Sequence, residues 1–128
     1  MADTYVYLIH EPDWDSDYAA SPEAQNDPEF GASMGAHGAF AEAVVALGAR
    51  LVGGHALTNT KYGGTVVPGA ADRKVDDAVY TDGPFTDTSE VITGFYVVET
   101  DDEVLARKLA ALVPTGGHIE WRKVIQLG

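Results

Sequence analysis

The sequence contains no cysteine. Disulfides, thiolate metal sites and cysteine nucleophiles are excluded with it. Positive charge is also scarce. Eight Lys and Arg stand against twenty Asp and Glu, a net charge of −12. A field of that sign repels phosphate backbones and anionic lipid, so neither nucleic acid nor membrane is an expected partner. No apolar run approaches the roughly 20 residues that span a bilayer. The opening Met1-Ala2-Asp3-Thr4 lacks the basic and apolar regions of a signal peptide, and a cytoplasmic protein is expected. No H-x-x-x-H or H-x-H spacing joins the four histidines, so no metal and no cofactor is expected.

What is present is an ordinary globular composition, 45% hydrophobic and 22% charged over 128 residues. One domain, 1–128, with one core is expected. Thr4 to His10 is rich in β-formers and apolar on both alternating faces. Tyr5, Tyr7 and Ile9 share one face, Val6 and Leu8 the other. A strand of that kind is central and covered twice. Glu11 to Glu29 holds seven acidic residues and three prolines. It reads as a surface loop with a short helical turn after Ser21-Pro22-Glu23, the functional alternative being a lid or a cation-binding loop.

From Gly31 to Gly48 the apolar period becomes helical, with His37, Phe40, Val44 and Leu47 on one stripe and Gly48 as the stop. Leu51 to Thr58 reads as a second strand. Thr65–Val67 and Val75–Thr81 read as a hairpin. Ile92 to Glu99 is again apolar on both faces. Thr100-Asp101-Asp102-Glu103 has a capping-box pattern, and Leu105, Leu109, Leu112 and Val113 follow at helical spacing. His118 to Leu127 closes the chain as a strand.

Without the hairpin the order is βαββαβ, the split-βαβ plan. The expected fold is therefore α+β and ferredoxin-like, of the dimeric α/β-barrel type, with an extra β-hairpin. Helices cover one face of its sheet. The apolar second face calls for a second copy of the chain, a homodimer.

The run Thr81-Asp82-Gly83-Pro84-Phe85, continued by Asp87, Thr88, Glu90, Gly94, Phe95 and Tyr96, resembles the DGPF branch of the YCII-related family. Ser89 stands where that branch often has lysine. Glu120-Trp121-Arg122-Lys123 lacks the proline the branch favours there. His37, Gly48 and Gly54 fit a histidine–glycine–glycine spacing of the wider family. The resemblance implies a ferredoxin-like dimer, a His–Asp pair as active site and an unassigned reaction. It also implies, for many branch members, an association with sigma factors.

Candidate catalytic residues are His37, as a general base near neutral pH, and Asp82, as its orienting carboxylate. Each has a structural alternative. His37 can be a half-buried histidine bonded to a carbonyl, and Asp82 can cap its own turn. Phe85, Glu90, Glu120, Arg122 and His55 are candidate ligand-binding residues. Arg122 offers a fork for a carboxylate, while ion pairing within the fold is the alternative for Glu120 and Arg122. Two functional readings stay open. One is a pocket that performs metal-free acid–base chemistry on a small organic molecule. The other is a non-catalytic ligand-binding or regulatory module that meets a protein partner in sigma-factor-dependent transcription.

Overall fold

The computed structural model describes residues 2–83 and 89–127. Six strands and three helices follow in the order β1 (Asp3–Glu11), α1 (Ser16–Ala19), α2 (Pro28–Ala46), β2 (Arg50–Ala56), β3 (Gly64–Val67), β4 (Val79–Asp82), β5 (Val91–Thr100), α3 (Glu103–Ala110) and β6 (His118–Lys123). Short 3₁₀ turns occupy Pro22–Asn26, Thr60–Tyr62 and Val75–Asp77.

The main sheet has the order β2-β5-β1-β6, every neighbouring pair antiparallel. That is roughly the ferredoxin-like strand order. β3 and β4 form a separate two-stranded sheet, the expected hairpin. The expected barrel is not formed among the described residues. Among the described residues neither sheet closes on itself, because β2 and β6 are free edges of an open four-stranded sheet. A pattern of strands and helices fixes which faces are apolar, but closure also depends on tilt and stagger, which that pattern does not carry.

Tyr5, Tyr7, Ile9 and Val98 point to the helical side and pack with Phe40 and Val44 of α2 and Ala106 and Leu109 of α3. The opposite face has an apolar centre in which Val6 lies across from Val97 and Leu8 from Phe95, all four half-buried. Both faces of the central strands are thus apolar, as their sequences require. No helix of the described residues is long and apolar enough to cross a membrane.

The acidic stretch is more structured than its composition suggests. Pro28 does not oppose α2 but starts it: a first-turn proline forfeits no helical hydrogen bond. Asp27 is the N-cap, its carboxylate accepting from the Glu29 and Phe30 amides. Gly48, at φ 90°, ends the helix in a Schellman motif, with Gly48 N–H donating to Val45 and Ala49 N–H to Val44. At α3 the cap moves from the expected Thr100 to Asp102, which accepts from the Leu105 amide at 3.1 Å.

Candidate functional site

A cavity of about 600 Å³ lies between the first half of α2 and the β2–β5–β1 end of the sheet. Its position follows from local sequence. Gly54 and Gly94, both in its lining, bring no side chains to the sheet beneath α2. Phe30, Met34 and His37 line it from the helix, Tyr96 and Thr93 from β5, and Ile9 and Glu11 from β1.

His37 and Tyr96 form its polar wall. His37 Nδ1 lies 2.7 Å from Tyr96 Oη. Burial pushes the Tyr96 phenol above its ordinary pKa, so it keeps its proton at neutral pH. The direction of the bond depends on the imidazole tautomer. In one tautomer the phenol donates to Nδ1 and Nε2 carries a proton. In the other Nδ1–H donates to the phenol oxygen, and Nε2 is a free base. Either way one ring nitrogen is held and the other remains for proton exchange. Tyr96 is itself fixed, its ring centroid 4.8 Å from that of buried Phe40.

Glu11 stands at the end of β1. Its two carboxylate oxygens accept from the hydroxyls of Thr93 and Thr115. The segment after it is tied across the neighbouring loop. Trp14 Nε1 donates to the Leu57 carbonyl at 2.8 Å, and the Asn59 amide donates to Ser16 Oγ at 2.8 Å. Thr60 donates to Asp13, and this bond holds the Asp13 carboxyl below its ordinary pKa. Those ties place Pro12 and Trp14 on the cavity.

The sequence candidates separate into two groups. His37 and His55 both border the cavity, but the register sets the His55 side chain on the other sheet face, in an edge contact with Phe95 at 5.8 Å between ring centroids. Asp82 does not. It ends β4 opposite Gly64 in the second sheet and is exposed, and the structure does not gather it with His37 around the cavity. Its neighbour Gly83 has φ 81° and its carbonyl accepts from Thr65 Oγ1 at 2.7 Å, which is the geometry of a turn. Phe85 lies outside the described residues.

Glu90 and Glu120 meet histidines away from the cavity lining, and Arg122 meets Glu120. Glu90 pairs with His118 at 2.9 Å. Glu120 pairs with His10 at 3.1 Å and with Arg122 at 3.6 Å. The rings of His10 and His118 stack at 4.7 Å. Among the described residues no three His, Asp or Glu side chains gather as a metal ion would need.

Sequence reading missed Tyr96 as a partner and Glu11, Thr93, Trp14 and Phe30 as lining. Two of these had a signal. Glu11 continues the alternation of Tyr5, Tyr7 and Ile9, and so belongs to the face the helices cover. Tyr96 lies opposite Tyr7 in the register and shares that face.

The model of the YCII-related domain matches residues 7–127, and the chain belongs to that family. No curated protein matches it.

Proposed function

We propose that this YCII-related protein binds a small organic molecule in the cavity under α2 and moves a proton on it with His37. Tyr96 holds the imidazole at Nδ1 and leaves Nε2 for the transfer. One observation carries the reading: the 2.7 Å contact between His37 Nδ1 and Tyr96 Oη at the wall of an apolar-lined cavity. A histidine bonded only within a packed core would have no space beside it for a reacting molecule. His37 has that space. General acid–base transfer by a positioned imidazole contributes about 10²–10⁴-fold to a rate.

The chemistry is assigned to His37 and Tyr96. Asp82 enters this reading as the carboxylate of the Gly83 turn. The run from Thr81 to Tyr96 supports placing the chain in the DGPF branch. The apolar centre of the open sheet face supports pairing of two copies.

A screen of small carbonyl and hydroxylated compounds tests the proposal. Turnover is expected in wild type and absent in His37→Ala, with Tyr96→Phe slower and shifted in its pH profile. Equal turnover in wild type and His37→Ala removes His37 from the mechanism.

A second reading, a regulatory module that meets a protein partner, is supported by the hairpin. Val66, Val67, Val79 and Tyr80 are exposed on a two-stranded sheet separate from the main one. Recovery of a defined partner by the wild type, lost in Val79→Glu/Tyr80→Glu, favours it. Recovery unchanged by that pair counts against it.

A further inference from the structure

We infer that the cavity takes a ligand bearing a protonated amine on an apolar, aromatic-sized body, with the ammonium seated against Glu11. The inference rests on the cavity being the functional site and adds the chemical class of what enters it.

Among the described residues Glu11 is the one carboxylate that lines the cavity, and no Lys or Arg lines it with Glu11. No ion pair among the described residues neutralises it. Thr93 and Thr115 each give it one hydroxyl, which fixes its orientation without cancelling its charge. A carboxylate has about four acceptor sites, so two hydroxyl donors leave capacity for a third partner. A charged group beside an apolar space is costly until a counter-charge meets it.

The remaining walls select the body of the ligand. Trp14, Phe30 and Tyr96 bring aromatic surface. The Trp14 N–H is already donated to the Leu57 carbonyl, so its ring offers the cavity chiefly apolar surface. Aromatic faces also attract cations. The volume of about 600 Å³ falls in the range of small-molecule sites. An anionic ligand would meet Glu11 with no Lys or Arg among the described lining residues to compensate, inside the field of a chain with net charge −12. His37, on the same cavity, is left to exchange a proton elsewhere on the bound molecule.

Three probes of one shape test this by calorimetry at neutral pH: 2-phenylethylamine, 2-phenylethanol and phenylacetate. The amine is expected to bind at least tenfold tighter than the alcohol, and phenylacetate not at all. Glu11→Gln is expected to bring the amine to the level of the alcohol. Glu42→Gln, which removes an exposed carboxylate outside the lining, is expected to hold amine affinity within about threefold. Phenylacetate binding as tightly as the amine overturns the inference, as does amine binding unchanged by Glu11→Gln, or binding of none of the three. If Glu11→Gln does not fold, the wild-type ranking of the probes decides alone. Met34→Trp at the cavity mouth separates the two readings. If all three probes bind equally and all are lost in Met34→Trp, the amine assignment falls and the cavity stands. If probe binding ignores Met34→Trp, the cavity reading falls.

Discussion

Gly54 lies flat against the ring of Tyr96: a Cβ on Gly54 would sit 2.6 Å from Tyr96 Cδ1 and 2.8 Å from the Phe95 carbonyl oxygen. The glycine is therefore what allows Tyr96 to stand where it reaches His37. Gly54→Ala is expected to displace the ring and to destabilise the protein by about 1–3 kcal/mol through overpacking. The His37 ring resonances should move with it. Gly53→Ala is the control, because its Cβ would meet nothing nearer than Val97 Cβ at 3.9 Å. It should stay within about 0.5 kcal/mol of wild type. Denaturant titrations of both variants check the contrast, and equal losses would contradict it.

High pH should unfold the helical side of the sheet. Burial pushes the Tyr7 phenol up to about 12, and its hydroxyl donates to the Ala106 carbonyl at 2.5 Å. The pKa is raised in the folded state, so this stability is complete below the unfolded value near 10 and is lost as pH rises through about 12. The loss is on the order of 2 kcal/mol. Urea midpoints measured between pH 9 and 12 should fall across that window in wild type. They should fall less steeply in Tyr7→Phe, which starts lower for want of the hydrogen bond.

Tyr5 presents the opposite case. Its hydroxyl is buried and has no hydrogen-bond partner among the described residues. A buried polar group left unpaired costs about 1–3 kcal/mol. Tyr5→Phe removes the group and keeps the ring against Trp121, whose centroid lies 6.1 Å away. Thermal unfolding should show the variant as stable as wild type or more so by up to about 1 kcal/mol. A loss above that would mean the hydroxyl has a partner.

Pairing of two copies through the open sheet face makes a prediction about salt. In the proposed dimer Val6, Leu8, Phe95 and Val97 would supply the apolar contact, while each chain carries a net charge of −12. Repulsion between like-charged chains is screened by ions. Sedimentation should show a dimer that tightens as salt rises from about 0.01 to 0.15 M, over which the Debye length shrinks from about 30 to 8 Å. Leu8→Asp should give monomers. A monomeric wild type at all salt concentrations would remove the pairing from the account.

The frame was legible wherever residue type and periodicity agree. β1 and β5 announced themselves by being apolar on both faces, and Gly48 by following a helical stripe. Pro28 was misleading, because proline opposes a helix everywhere except its first turn, and only Asp27 before it marks that turn. The candidate site was half legible. His37 stood on the correct stripe, but its partner Tyr96 is 59 residues away, and nothing local couples them. Asp82 was tied to His37 by resemblance alone, and the fold sets it in the second sheet. The open sheet in place of a barrel has the same cause: strand order follows from pattern, whereas closure is a property of the assembled strands.

The cavity under α2 is tested most directly by blocking it. Met34 is exposed on the helix at the cavity mouth, so Met34→Trp should fold normally and occupy the entrance. Melting temperatures of wild type and Met34→Trp would be compared against a panel of small amines, phenols and carbonyl compounds. At least one compound near 100 times its Kd is expected to raise the wild-type value by about 5 °C or more and to leave Met34→Trp unmoved. Equal shifts in the two proteins would contradict it.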